Sequence, residues 1–221
     1  VDVFALMHIA TTPTQHTSVN NWAASIQKGN VFCFGSVHPN AENPTEEIRR
    51  IHELGLKGIK FHPDYQEFMV DAPQVFPLYE EAAALHLPVT FHTGRDPLSP
   101  DLIHAPAEKM ARIADLFPQM TIIAAHMGGM STPEEADAFL VGKPNVYLDT
   151  AFISHFLTPE QAAPMMRRHG LDRILFASDS PWSRSCGELD FLQQCGFTSS
   201  ELELILGENA RRLLKISKSD L

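Results

Sequence analysis

Residues 121–129 read TIIAAHMGG, a short apolar run that ends in a histidine and two glycines. Two other stretches, PVTFHTG at 88–94 and ILFASD at 174–179, are also short apolar runs followed by a polar residue that can bind a metal. Apolar runs of this length between turn residues are typical of strands buried on both faces of a parallel sheet. In a βα barrel the carboxyl ends of the strands converge on one face, so a polar residue after each run reaches a common pocket. The predicted pocket residues are His92, His126 and Asp179.

Strand-like runs recur along the chain at intervals close to the roughly 30 residues expected of one βα unit. The seven runs span 3–9, 31–37, 58–62, 88–93, 121–126, 145–150 and 173–179. Helix signals lie between them, because three segments open with Asn-Pro or Thr-Pro and end at glycine. This alternation predicts an α/β fold, a TIM (β/α)8-type barrel. Because such a barrel has eight strands, we expect residues 1–221 to form a single barrel domain, N-terminally incomplete and without its first strand.

The charge and the apolar pattern disfavour two classes of partner. The 221 residues include 27 acidic and 17 basic residues, for a net charge of −10. Such an acidic balance disfavours binding to nucleic-acid phosphates or to an anionic membrane. No apolar stretch of the sequence approaches the roughly 20 residues of a membrane span, and the three cysteines lack Cys-x-x-Cys spacing. We therefore expect a cytoplasmic protein with free thiols and with no nucleic-acid or membrane partner.

Six motifs along the chain resemble those of a known enzyme family. They are LKGIKFHP at 56–63, HTG at 92–94, HMGG at 126–129, VYLDT at 146–150, LFASDSP at 175–181 and LGENARRLL at 206–214. In this order and spacing, the chain resembles over nearly its whole length the amidohydrolase-related (amidohydrolase 2) metal-dependent hydrolases of the amidohydrolase superfamily. That branch also includes decarboxylases of the aminocarboxymuconate-semialdehyde type.

The resemblance implies a divalent metal site, with zinc as the expected ion, since imidazole and carboxylate ligands suit Zn²⁺. His92 would be a metal ligand, and Asp179 would ligate the metal or bind the nucleophilic water and accept its proton. His126 would be either a second-metal ligand or a hydrogen-bond partner of the water or the developing oxyanion, and we favour the second role. The family's first strand ends in His-x-His, a pair that this sequence does not contain. We expect the missing first strand to carry those ligands.

The remaining basic residues divide into pocket and surface candidates. Lys60 and His62 are two residues apart on one predicted strand, so both face the barrel interior if their apolar neighbours pack against helices. In some superfamily members a lysine on this strand is carboxylated and bridges two metals, whereas Lys60 could instead bind a substrate carboxylate or pair within the barrel. Arg95 follows His92 by three residues and either grips an anionic substrate or is a solvated loop residue. The predicted surface histidines, on helix patterns, are His52, His86 and His169.

The leading functional hypothesis is a metal-dependent amidohydrolase-type hydrolase, which attacks a small amide, ester or lactone with metal-activated water. Its partner would be a small-molecule substrate, anionic or cyclic. The alternative is a non-oxidative decarboxylase of the same superfamily, because the same metal and histidines can stabilise an electron-rich intermediate. A third hypothesis is a catalytically inactive ligand-binding homologue or fragment, suggested by the absent His-x-His. The open barrel edge also suggests a homodimer in which a second chain covers that edge.

Overall fold

Strands and helices alternate along the chain as the sequence predicts. The computed structural model describes residues 2–216, and within them seven strands alternate with nine α-helices. The strands are β1 (Phe4–Met7), β2 (Val31–Phe34), β3 (Ile59–Phe61), β4 (Val89–Phe91), β5 (Ile122–Ala124), β6 (Val146–Asp149) and β7 (Ile174–Leu175). The α-helices are α1 (His16–Ile26), α2 (Pro44–Glu53), α3 (Phe76–Ala84), α4 (Ala107–Leu116), α5 (Pro133–Phe139), α6 (Pro159–His169), α7 (Ser185–Gln194), α8 (Ser199–Glu203) and α9 (Asn209–Leu214). The shorter helical turns are the 3-10 turns Pro73–Val75, His126–Gly128, Ile153–His155 and Leu171–Arg173, and the π-helical turn Leu204–Glu208.

The proline signals in the sequence set the starts of three outer helices. α2 begins at Pro44, α5 at Pro133 and α6 at Pro159. Proline suits the first helical position because the amide hydrogen that it lacks would have no partner there. Before α6, the Thr158 N–H donates to the Gln161 Oε1 at 2.9 Å within a capping box. Local sequence chemistry therefore fixes where these helices begin.

All strand pairs are parallel and fall into two hydrogen-bonded groups. β1 pairs with β2, and β3 to β7 form a five-stranded sheet in sequence order. Gly35 joins the groups, since its N–H donates to the Gly58 carbonyl at 2.9 Å and its carbonyl accepts from the Lys60 N–H at 2.8 Å. The carboxyl ends of the seven strands therefore lie on one face of a continuous parallel layer.

Strand residues alternate between the helix-facing core and the barrel interior. Ile59 and Phe61 in β3, and Val89 and Phe91 in β4, are buried members of the main hydrophobic core. Lys60 lies between the first two, so its side chain points to the interior face, as predicted. Packing of the outward residues against the helices holds β3 and β4 in place and thereby positions the residue that follows each strand.

Among the described residues, β1 and β7 are the edge strands of this layer. The π-helical turn closes against β7, because the Phe176 N–H donates to the Ile205 carbonyl at 3.0 Å. Leu213 and Leu214 of α9 pack against a small apolar cluster that includes Leu175. Helical residues therefore cover the β7 side of the layer within residues 2–216.

The cysteines and the lengths of the helices complete the description of the fold. Cys33, Cys186 and Cys195 are free thiols, and the first and last of them are buried. Within residues 2–216, every helix is too short or too polar to cross a lipid bilayer.

Candidate active site and metal centre

Three histidines meet at the carboxyl ends of adjacent strands. His62 directly follows β3, His92 directly follows β4, and His126 lies two residues after β5. The ring centroids of His62 and His92 are 4.2 Å apart, and those of His92 and His126 are 4.8 Å apart. All three side chains are buried, and His92 is only 4% exposed. The parallel layer thus brings together residues that are about 30 positions apart in sequence.

The hydrogen bonds of His126 determine where the protons lie on His92. The Nδ1 atom of His126 is 2.9 Å from the Ala151 carbonyl oxygen, which can only accept, so Nδ1 carries the hydrogen. In a neutral imidazole the Nε2 atom of His126 is then an acceptor, and it receives the Nδ1–H of His92 at 3.0 Å. The Nε2 atom of His92 therefore has a free lone pair. It is buried and has no hydrogen-bond partner among the described residues.

Asp149, the last residue of β6, fixes the turn that carries His126. Its Oδ1 accepts the backbone N–H of His126 at 2.9 Å and that of Ala151 at 3.0 Å. His126 and Met127 have left-handed backbones, with φ values of 57° and 54°. Left-handed non-glycine residues are uncommon and need support from their surroundings, which the Asp149 carboxylate provides here. Asp149 is therefore a positioning residue for His126.

Asp96 places a carboxylate beside the two histidines. Its Oδ2 lies 3.5 Å from the His62 Nε2 and 3.8 Å from the His92 Nε2, and it accepts from the Tyr65 hydroxyl at 3.3 Å. Its Oδ1 accepts the Leu98 N–H at 2.7 Å. The Asp96 side chain is therefore held in place from both oxygens, and its Oδ2 faces the free nitrogen of His92.

An aromatic stack supports the His62 ring. The ring centroids of Tyr65 and His62 are 3.6 Å apart with an interplanar angle of 7°, and His62 lies at 12° to His92 on its other face. The Tyr65 N–H also donates to the His62 Nδ1, at 3.4 Å. Burial, with a smaller effect of the Lys60 charge, lowers the pKa of His62 to about 2. The stacked ring is therefore neutral.

Burial also favours the uncharged forms of the other basic groups in the site. It lowers the pKa of His92 well below its usual range, and the neighbouring His126 and His62 add to the effect. Burial lowers the pKa of the Lys60 amine as well, although the carboxylates of Asp149 and Asp179 oppose this. The site therefore offers neutral imidazole nitrogens as donors, and burial weakens the positive charge of the Lys60 amine beside them.

The residues present fit a divalent metal ion. Ligand atoms of His62, His92 and Asp96 all lie within 4.8 Å of one another, and all three side chains are buried. Imidazole nitrogen together with carboxylate oxygen is a common donor set for Zn²⁺ and for related divalent ions. The partnerless Nε2 of His92 is the strongest indication, since a buried lone pair without a donor is costly unless something binds it.

The predicted site residues do not all lie equally close to this cluster. Lys60, His62, His92 and His126 lie together in the barrel, as described. Asp179 is half-buried after β7, and its carboxylate is close enough to affect the pKa of Lys60 and of Tyr65. Arg95 is exposed, and its guanidinium donates to the Pro100 carbonyl at 3.0 Å within its own loop. The structure thus places Asp179 beside the pocket and Arg95 in the loop above it.

The sequence predictions missed three residues of the site and misplaced one histidine. The missed residues are Asp149, Tyr65 and Asp96. Asp149 lies in one of the motifs already noted, and Tyr65 lies just after another. Asp96 follows His92 by four residues, and this closeness to a predicted metal ligand could have indicated it. The prediction that His169 is a surface residue is wrong, because its side chain is 0% exposed. Its ring hydrogen-bonds to the backbone of two neighbouring segments. His52 and His86 are exposed, as predicted.

Comparison with known proteins connects this site to a family. A family model described as amidohydrolase matches residues 4–216. The chain belongs to the amidohydrolase family. This confirms the resemblance noted in the sequence and supports an enzymatic function for the chain. A search of curated proteins finds no significant match.

Several solved structures share the fold of this chain. The 5-carboxyvanillate decarboxylase from Sphingomonas paucimobilis is 17% identical with a TM-score of 0.74, over 97% of this chain and 78% of that one. An uncharacterised TIM-barrel protein from Bordetella bronchiseptica is 21% identical with a TM-score of 0.74, over 95% and 77%. A dihydroxybenzoic acid decarboxylase from Polaromonas sp., with bound manganese and the inhibitor 2-nitroresorcinol, is 19% identical with a TM-score of 0.72, over 100% and 81%. The predicted TIM-type barrel is confirmed.

Proposed function

We propose that this member of the amidohydrolase family is a metal-dependent decarboxylase that removes CO₂, without oxidation, from a small aromatic acid bearing a hydroxyl group. The observation that carries the proposal is the buried, partnerless Nε2 of His92, a nitrogen free to bind a metal, in a pocket whose buried Lys60 amine acts electrostatically on the same ring. Decarboxylases of hydroxylated aromatic acids share the fold at low identity and support this choice. The sequence favours a hydrolase and leaves a decarboxylase as the alternative, and the fold comparisons favour the alternative.

A divalent ion would be held by His92, with Asp179 as the second ligand that the resemblance implies. Manganese is present in one decarboxylase of the same fold and zinc is the expectation from sequence, so we propose one of these two ions. When bound, the ion would supply a positive charge that holds the substrate carboxylate and its neighbouring hydroxyl oxygen. His126 would keep the His92 ring in the tautomer that leaves Nε2 free, through the hydrogen bond from the His92 Nδ1.

Lys60 would bind the anionic substrate. Burial disfavours its charged form while Asp149 and Asp179 favour it, so an arriving carboxylate would shift the balance further towards the ammonium form. The surrounding side chains are buried, so the substrate carboxylate would lose its water when it enters. A dry pocket destabilises the desolvated carboxylate and so favours its departure as neutral CO₂.

The proton balance of the reaction involves Asp179. Cleavage of the bond between the ring and the carboxylate releases CO₂ and leaves the electron pair on the ring carbon. That carbon takes a proton from a water molecule, and we assign the transfer to the Asp179 carboxylate, which lies near Lys60 in the loop after β7. The hydroxide that remains combines with the released CO₂ or with a proton from solvent.

The test is a substrate screen with the purified chain and Mn²⁺. Hydroxybenzoates are supplied in H₂¹⁸O, and CO₂ release and ¹⁸O in the aromatic product are measured. We expect one CO₂ for each product and no ¹⁸O in the product, together with loss of activity to below about 1% after chelation and recovery with Mn²⁺. Turnover that persists without metal would reject the proposal.

A hydrolase remains the second candidate function, because the matching family model is described as amidohydrolase. The same screen separates the two, since hydrolysis of an amide, ester or lactone would place one ¹⁸O atom in the product and release no CO₂. An inactive ligand-binding protein would show neither product, and would retain less than about 0.1 equivalent of metal by elemental analysis.

A further inference from the structure

We propose that Asp96 is a metal ligand paired with His92, and that His62 orients the Asp96 carboxylate. The resemblance to the family assigns no role to Asp96. This proposal rests on the metal dependence of the proposed function and names a ligand that the chain supplies from the loop after β4.

The distance between the His92 Nε2 and the Asp96 Oδ2 suits a shared metal ion better than a hydrogen bond. The His92 Nε2 and the Asp96 Oδ2 are 3.8 Å apart, which is too long for a hydrogen bond between them. Two ligands at about 2.0–2.2 Å from one ion would have this separation at a bond angle of roughly 120–145°. Both side chains are almost fully buried, at 4% and 5% exposure, so bulk water does not solvate this gap.

The Asp96 carboxylate is already held in the orientation that this role requires. Its Oδ1 accepts the Leu98 N–H, which leaves Oδ2 directed at the histidines. The Tyr65 hydroxyl donates to the same Oδ2 at 3.3 Å from one side and leaves the direction of His92 open. Oδ2 has two lone pairs, one for the Tyr65 hydroxyl and one for the ion, so the His62 N–H at 3.5 Å acts on it electrostatically rather than through a hydrogen bond.

His62 lies equally near but is poorly oriented to be a ligand of the same ion. Its Nδ1 accepts the Tyr65 N–H, so its Nε2 carries the hydrogen and faces the Asp96 Oδ2 at 3.5 Å. Its ring is also nearly parallel to that of His92, and an imidazole binds metal in its own ring plane, so the two stacked rings cannot both aim at one ion. His62 is therefore a positioning residue whose N–H supports the carboxylate of Asp96.

The experiment measures Mn²⁺ affinity by titration calorimetry on the full chain after chelation. We expect the unsubstituted protein to bind one equivalent and D96N to bind at least about 100-fold more weakly. In D96N the amide oxygen still accepts from the Leu98 N–H, so the loop keeps its anchor. H62Q should weaken binding by only about tenfold, as is usual for a residue that orients a ligand.

The matched control is D64N. Asp64 is a second buried carboxylate on the same face, and its Oδ1 is bonded to the His104 Nδ1 at 2.9 Å. Removing its charge tests whether the D96N effect is only a general loss of negative charge. We expect D64N to bind Mn²⁺ within about threefold of the unsubstituted protein, and thermal unfolding of each variant verifies the fold.

A second measurement requires no substitution. In ¹³C and ¹⁵N NMR spectra of the unsubstituted protein, Zn²⁺ should shift the Asp96 carboxyl carbon and the His92 Nε2 and leave the His62 tautomer unchanged. Mn²⁺ affinity in D96N equal to that of the unsubstituted protein, absence of metal binding by the unsubstituted protein, or an unshifted Asp96 carboxyl would each overturn the assignment. Metal bound through Asp96 without decarboxylation would reject only the proposed function.

Discussion

Buried histidines lie at both ends of the β-strands, and they differ in whether both ring nitrogens have hydrogen-bond partners. At the carboxyl end of β4, the Nε2 of His92 has no partner among the described residues. At the amino end of β6, the His169 Nε2 donates to the Val146 carbonyl at 2.9 Å and its Nδ1 accepts the Gly142 N–H at 3.2 Å. Burial lowers the pKa of both rings. A buried histidine with a lowered pKa therefore does not by itself identify a functional site.

The positions of His92 and His169 agree with the different roles of the two ends of a βα barrel. Residues at the carboxyl ends of the strands supply the chemistry, whereas those at the amino ends stabilise the fold. His169 ties α6 to β6 and to the loop that follows α5, and it leaves no atom available to a ligand. His92 makes one hydrogen bond and directs its other nitrogen at Asp96. The hydrogen bonds of the ring nitrogens, rather than burial, distinguish the two roles.

The largest expected effect is on catalysis at the carboxyl end. His92→Ala should lower kcat by at least about 100-fold, because it removes a proposed metal ligand, and Asp179→Asn should do the same through the proton that it no longer delivers. Steady-state kinetics with saturating Mn²⁺ measure the effect, and thermal unfolding should show that the fold persists. Near-normal turnover in either variant would contradict its assigned role.

The matching change at the amino end should affect stability instead. His169→Ala removes the partners of the Val146 carbonyl and the Gly142 N–H and leaves a cavity, so we expect the free energy of unfolding to fall by about 2–4 kcal/mol. Urea unfolding measures this, and turnover per folded molecule should remain unchanged. A loss of kcat in the folded variant would break the distinction between the two ends.

The pH dependence of stability should also report on His169. Burial, the largest cause, lowers its pKa from 6.5 to about 4 in the folded state. Between these values the unfolded chain binds more protons than the folded one, so stability falls as the pH drops from 6.5 towards 4. At about 1.4 kcal/mol per pKa unit, the contribution of His169 reaches at most about 3.5 kcal/mol.

Burial also lowers the pKa of His8, His38, His62 and His92, so the comparison must be between variants. Urea unfolding at pH 7 and pH 4.5 should show a smaller loss of stability for His169→Gln than for the unsubstituted protein. Equal losses would mean that the folded ring is protonated as easily as the unfolded one.

The smallest expected effect concerns Arg95. Its side chain is exposed, so its proposed contact with an anionic substrate is screened by water, and an exposed charge pair contributes about 1 kcal/mol or less. Arg95→Ala should raise KM by up to about fivefold and leave kcat and stability unchanged. A KM that does not change would remove Arg95 from the substrate site.

Much of the architecture could be predicted from local sequence signals. The apolar runs with turn residues on both sides became the seven strands, and the Pro and Gly positions marked helices α2, α5 and α6. The two-residue spacing of Lys60 and His62 placed both on the site side of β3. His169 was misplaced because a helix pattern gives the spacing of residues but not which neighbouring segment covers them.

The sequence by itself determined the barrel and the residues that follow its strands, because strand and helix periodicity depends on neighbours a few positions away. Only the tertiary structure decided which atoms of those residues remain available. The free nitrogen of His92 follows from a hydrogen bond to His126, 34 residues away, and from the position of Ala151 behind it. The alignment of Asp96 with that nitrogen depends on the folding of its loop over β4. Such pairings arise from packing in three dimensions, which no local pattern in the chain encodes.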